Sequence, residues 1–137
     1  MKTKTLIGLF LIVLVAGGSF LWRSQQQEKT ASPIVFVTLP ATLSASAQTG
    51  RQSFDANCAS CHGQNAAGQE GTAPPLIHKI YEPSHHGDGS FQRAVASGVR
   101  AHHWPFGNMP PIKELDRKEV SEIITYIREL QRTNDIF

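Results

Sequence analysis

Gly50-Arg51-Gln52-Ser53-Phe54-Asp55-Ala56-Asn57-Cys58-Ala59-Ser60-Cys61-His62-Gly63 decides the reading of this chain. Its second half is C-x-x-C-H, the spacing of a covalent haem attachment site. Two thiols separated by two residues reach the same porphyrin edge and add across its vinyl groups. The histidine that follows then lies under the iron as the proximal ligand. A bare C-x-x-C also serves redox dithiols and zinc sites. A thioredoxin-like dithiol opens a helix within a βαβ unit, and no strand–helix alternation surrounds this one. A zinc finger needs a second ligand pair. The chain has only these two Cys and no H-x3-5-H, so one covalently bound haem c, held through Cys58 and Cys61, is the expectation.

Outward from the motif, the 137 residues divide into three parts. Residues 1–23 form an export segment. Lys2 and Lys4 precede an apolar run from Leu6 to Trp22, and Arg23 closes it. The run is near the short limit for a bilayer core of roughly 30 Å. Trp22 stands where an interfacial aromatic would, and the lysines fit the positive-inside rule. The expectation is an uncleaved signal anchor, residues 6–22, holding the protein at the periplasmic face of a bacterial inner membrane. The alternative is a cleaved signal peptide and a soluble periplasmic protein, with Ala16, Gly17 and Gly18 near the cut.

Of the 13 Lys and Arg, 11 lie beyond residue 22, as do all 11 Asp and Glu. The exported part is therefore formally neutral, and the basic balance belongs to the targeting segment. That removes any argument for a nucleic-acid partner.

Residues 24–46 read as a linker: polar at Gln25–Lys29, then rich in Ser, Thr and Ala. As a flexible coil it would span roughly 25 Å. The apolar Ile34-Val35-Phe36-Val37 within it is a candidate for docking on the chain's own domain, or for a membrane or partner contact.

Residues 47–137 are the haem domain, and its pattern is all-α. A first helix is expected from Ala47 to Cys58. Glycines and prolines punctuate 63–87 and 100–113 as loops. A short helix over 91–97 is expected, capped by Asp88 or Ser90 and stopped by Gly98. The last helix is the clearest: Asp116-x-x-Glu119 has the form of a capping box. Val120, Ile123, Ile124, Ile127 and Leu130 then share one face. Arg128 and Arg132 sit near its C-terminus, where the macrodipole favours cations.

The second axial ligand is sought among two methionines. Met1 is on the wrong side of the membrane or removed, leaving Met109 in Gly107-Asn108-Met109-Pro110-Pro111. Prolines stiffen that loop, and a Gly/Asn/Pro loop is an odd home for a core methionine. Met109 is the expected iron ligand opposite His62. Such ligation raises the reduction potential relative to two histidines.

Over about residues 47–133 the chain resembles the class I cytochrome c family. Gly50-x-x-x-Phe54-x-x-x-Cys58-x-x-Cys61-His62 matches that family's first helix, with Ile123 and Tyr126 where its last helix makes contact. Ala73-Pro74-Pro75-Leu76 resembles the family's Gly-Pro-x-Leu turn, with Ala73 in place of Gly. The resemblance implies a small all-α fold around one haem. It implies that the Pro74 carbonyl accepts the His62 N–H, that Leu76 packs on the haem face and that Met109 binds iron. It also implies single-electron transfer between redox protein partners rather than turnover of a substrate.

Five histidines remain: His78, His85, His86, His102 and His103. They could hydrogen-bond haem propionates or loop backbone. They could instead form an accessory copper or zinc site, or one could displace Met109, which would suit a haem-based sensor. In extended chain, adjacent side chains point apart, so each pair is expected to send one imidazole toward any common point. Trp104 is placed either to cover a haem edge with its N–H toward a propionate or to pack in the core.

Overall fold

The structure is a computed structural model and describes residues 32–137. The export segment 1–23 and the first part of the linker lie outside the described residues. Among those described, no helix is long and apolar enough to cross a membrane. They form four α-helices: α1 Ala45–Asn57, α2 Ala59–His62, α3 Asp88–Ser97 and α4 Arg117–Thr133. Two 3-10 turns, Gln64–Ala66 and Lys79–Tyr81, lie between α2 and α3. Strand-like pairing among the described residues is limited to two isolated bridges, Gln69 with Ala73 and Val99 with Met109.

Each long helix starts where its side chains can satisfy free amides. Ser44 Oγ accepts from the Ala47 amide at 3.2 Å and opens α1 two residues before the expected start. At α4 the capping box is complete. Asp116 Oδ1 accepts from the Lys118 and Glu119 amides at 2.8 Å, and Glu119 Oε2 accepts from the Asp116 amide at 2.9 Å. Helix α3 differs from expectation. Its N-cap is Gly87, Asp88 is its first residue, and Ser90 Oγ donates to the Gly87 carbonyl at 2.6 Å. Asp88 is turned to Arg128 instead.

The core is the crossing of α1 and α4. Helix α1 buries Ala47, Gly50 and Phe54, one face at helical spacing. Helix α4 presents Val120, Ile123, Ile124, Ile127 and Leu130, all buried. Phe54 meets Tyr126 with ring centroids 5.7 Å apart and tilted by 59°. Full burial of an aromatic of this size contributes about 1.5–3 kcal/mol. Gly50 sets the approach: a Cβ there would collide with the Glu122 carbonyl, so only glycine lets the backbones touch.

The linker expected over 24–46 is shorter than that in the described part. From residue 32 onward the chain is fastened to the domain. The Ile34 and Val35 amides both donate to the Ala67 carbonyl at 3.1 Å. Asn134 pairs with the Thr38 backbone in both directions, accepting at 2.8 Å and donating at 2.9 Å. Val37 and Leu43 pack on the core while Phe36 stands fully exposed. This is the docking on its own domain for which Ile34-Val35-Phe36-Val37 was a candidate, held by backbone pairs and two apolar anchors, not a buried stripe.

Candidate functional site

Cys58 closes α1 and opens α2: its amide donates to the Phe54 carbonyl at 2.8 Å, and its own carbonyl accepts from Cys61 and His62. The single turn of α2 therefore carries Cys58, Cys61 and His62 on one rigid piece of the core helix. Cys58 is buried and Cys61 exposed. Gly63, at φ +73°, stops the turn, and a Cβ there would meet the Gly68 carbonyl at 2.5 Å.

The chain then loops back so that Pro74 faces His62. His62 Nδ1–H donates to the Pro74 carbonyl at 2.9 Å. That fixes the tautomer and leaves the Nε2 lone pair free, the usual arrangement behind a metal-binding imidazole. Burial pushes the His62 pKa below its ordinary value, against the upward pull of the Pro74 carbonyl, so the ring is neutral. Ala73, where the family's turn has Gly, is not in the left-handed region, which among non-glycine residues holds Asn65, Ala66 and Asp135. Alanine is therefore compatible with this turn. Leu76 is buried, with its amide on the Ala66 carbonyl at 2.9 Å.

Met109 comes from a different loop. It pairs with Val99 through two backbone bonds, 2.9 and 3.0 Å, closing residues 100–108 into an excursion. Gly98 at φ +75° permits this, since a Cβ there would lie 2.6 Å from the Met109 carbonyl. The Ala101 amide donates to Asn108 Oδ1 at 2.9 Å across the loop's neck.

These two walls enclose one cavity of about 630 Å³. It is lined by Cys58, Cys61, His62, Pro74, Leu76, Trp104 and Met109, with Phe54, Val95, Ile123 and Ile127 from the helices. Cofactor-sized ligands occupy clefts of roughly 300–1,000 Å³. One polar atom is left waiting. Trp104 Nε1 is buried and has no hydrogen-bond partner. The neighbouring Tyr81 phenol is pushed up to about 12 by burial, a shift the Trp104 indole opposes, yet the two do not reach hydrogen-bond geometry. Two thiols, an imidazole with a free lone pair, a thioether, apolar walls and an orphaned donor suit an amphipathic porphyrin with anionic carboxylates.

The family model for cytochrome c matches residues 47–131. The chain belongs to the cytochrome c family. No curated protein matches it. Membership brings covalently bound haem c, with Cys58 and Cys61 as its attachment pair, and single-electron transfer with redox protein partners. The expected all-α fold is the one observed among the described residues.

The structure brings the paired histidines together in a way the sequence did not suggest. His85 and His86 lie in a turn, not an extended segment, so both rings face the same side, 4.7 Å apart. His103 completes a group of three. His78 lies elsewhere, edge-on to Trp104 at 5.2 Å.

Two residues that organise the site were missed. Arg128, expected only as a cation favoured by the macrodipole near the end of α4, is buried. It donates to Asp88 at 2.9 Å, to the Tyr81 carbonyl at 2.8 Å and to the His86 carbonyl at 2.5 Å. Gln131 is fully buried and donates to the Leu76 and Tyr81 carbonyls at 2.9 and 3.0 Å. The available signal was position: Arg128 and Gln131 follow Ile124 and Ile127 by four residues each, on the apolar face.

Proposed function

We propose that His62 and Met109 would both hold the haem iron and that this cytochrome c passes electrons, one at a time, between redox partners at the periplasmic face of a bacterial inner membrane. One observation carries the reading. An imidazole oriented by the Pro74 carbonyl and a thioether on a loop pinned at Val99 line the same apolar cavity. Haem c bound there supplies a single-electron Fe(III)/Fe(II) couple. The chain's residues tune and shield it. Pro74 keeps His62 in one tautomer and raises its basicity. Met109 favours the reduced state relative to a second imidazole. Leu76, Ile123 and Ile127 exclude water, and the unpartnered Trp104 Nε1 would donate to a propionate. Iron held by both His62 and Met109 would leave no position for a substrate, which suits a carrier rather than an enzyme.

Support for the compartment comes from Lys2, Lys4 and the apolar run 6–22, read as an uncleaved anchor. Cleavage would instead release a soluble periplasmic carrier. Mass measurement of the mature N-terminus separates the two.

Optical spectra of the mature holoprotein test the ligation. The weak red charge-transfer band of ferric, methionine-ligated haem is expected in the native chain and absent from Met109→Ala. Ready carbon monoxide binding by native ferrous protein would replace the carrier reading with a haem-based sensor whose Met109 is displaceable.

A further inference from the structure

His85, His86 and His103 offer three ligand nitrogens that all lie within 4.8 Å of one another. Ring centroids are 4.7 Å apart for His85 and His86, 5.4 Å for His85 and His103, and 5.2 Å for His86 and His103. Zn–N bonds of about 2.0–2.1 Å put tetrahedral ligands about 3.3 Å apart. Closing from the observed spacing takes side-chain rotation, and both His85 and His103 are exposed and free to make it.

A hydrogen bond within the group bears on what it can bind, and its neighbour His102 makes a similar one. His86 Nδ1–H donates to the Ile80 carbonyl at 2.6 Å, and the adjacent His102 Nδ1–H donates to the Arg100 carbonyl at 2.8 Å. A neutral imidazole has one N–H. In its neutral form the His86 ring has spent its N–H on the Ile80 carbonyl, so its other nitrogen keeps a lone pair. Lone pairs repel a carboxylate and attract a metal cation. A carbonyl behind the ring is also the usual support of a metal-ligating histidine.

We propose that His85, His86 and His103 form a binding site for one divalent transition-metal ion of the imidazole-preferring class, zinc or copper, separate from the haem iron. Three nitrogens leave a fourth position open to water or another ligand. The site joins two segments. His85 and His86 precede α3, and their turn is anchored on α4 by Arg128 through the His86 carbonyl. His103 belongs to the excursion closed by Val99 and Met109. A bound ion therefore clamps the Met109 loop to the body of the domain. The three donors are distinct from the residues assigned to iron, although they line the same cavity.

Zinc titration of the full-length holoprotein tests this, since zinc is redox-inert and leaves the haem oxidation state alone. Calorimetry should give one site per chain. His103→Ala and His85→Ala should each weaken it by more than about tenfold, the lower end of what loss of even an outer-shell partner costs. His102→Ala should retain binding at the same stoichiometry. Unchanged haem spectra and circular dichroism in the variants exclude misfolding. Zinc should also slow loss of the red charge-transfer band on heating in the native chain and not in His103→Ala. Zinc binding that survives His103→Ala, or that disappears in His102→Ala, would overturn the assignment, as would a native holoprotein that binds no zinc.

Discussion

Arg128 Nη1 donates to Gln131 Oε1 at 2.6 Å, inside the protein and within one turn of α4. The pair is the point where the last helix takes hold of the long loop before α3. Between them the two side chains satisfy the Leu76, Tyr81 and His86 carbonyls. The Arg128 guanidinium also lies over the Phe91 ring, 5.0 Å from its centroid. The loop running from the cavity-lining Leu76 to the His85–His86 turn has no regular structure of its own beyond one 3-10 turn. Its geometry is dictated by α4.

Arg128→Met is therefore expected to cost far more than loss of its ion pair. The Asp88 carboxylate is largely exposed, and surface pairs contribute about 1 kcal/mol or less. The Tyr81 carbonyl keeps its bond from Gln131, but the partly buried His86 carbonyl and the buried Gln131 amide oxygen lose their donor, at about 1–3 kcal/mol for each unpaired group. Denaturant unfolding of the holoproteins should give a loss of about 3 kcal/mol or more for Arg128→Met and under about 1 kcal/mol for Asp88→Asn. Equal losses would mean that the ion pair, not the carbonyl network, is what matters.

The turn at Ala73 yields a second prediction, with a sign opposite to the family pattern. Ala73→Gly restores the family's residue, but nothing in the backbone at Ala73 asks for glycine. Its amide and carbonyl are both bonded to Gln69, at 3.2 and 3.0 Å. Glycine adds only unfolded-state freedom, costing about 0.5–1 kcal/mol. Thermal unfolding of the holoprotein should shift down. An upward shift would show strain at Ala73.

Periodic and capped elements were legible in the sequence. Asp116, Glu119 and the stripe from Val120 to Leu130 specify α4 locally, and they reappear as written. The attachment motif was legible because few residue types can do its chemistry and the chain has little redundancy in them; Met109, singled out on the same ground, lines the same cavity. What could not be read was pairing at a distance. The docking of residues 32–43 depends on the Ala67 carbonyl and on Asn134, neither of which has a local signature. Burial of Arg128 depends on carbonyls more than 40 positions away. The convergence of His85 with His86 follows from a turn whose Glu82 carbonyl accepts both their amides, at 3.1 and 2.8 Å. Extended-chain reasoning sends those rings apart.

Alkaline stability should depend on two phenols. Burial pushes Tyr81 and Tyr126 each up to about 12 from the ordinary value of 10.0. Below pH 10 both folded and unfolded chains keep the protons, so the contribution is fully present. Between pH 10 and 12 the unfolded chain loses protons that the folded chain retains, and stability falls as pH rises. Tyr126 Oη also donates to Asn65 Oδ1 at 3.2 Å. Tyr126→Phe should lower stability at pH 7 by about 1 kcal/mol through that lost bond. It should also flatten the decline above pH 10. Chemical denaturation at a series of pH values reads both effects, and an unchanged alkaline slope would remove Tyr126 from the account.

Trp104 gives the sharpest test of how the cavity treats its cofactor. Its ring is clamped, stacked on Phe106 at 5.8 Å with the planes within 10° and met edge-on by His78. Its Nε1 nonetheless lacks a partner. An unpaired buried N–H costs about 1–3 kcal/mol, which a native fold tolerates where an acceptor arrives later. A haem propionate is the acceptor the proposed function supplies. Trp104→Phe keeps an aromatic in the stack and removes only the donor. Without it the carboxylate charge is less neutralised, and uncompensated negative charge favours ferric over ferrous iron. The reduction potential should therefore fall, by less than about 60 mV, the one-electron equivalent of a tenfold change. Potentiometric titration of the two holoproteins measures it. An unchanged or higher potential in Trp104→Phe, with the haem spectrum intact, would return Trp104 to a packing role.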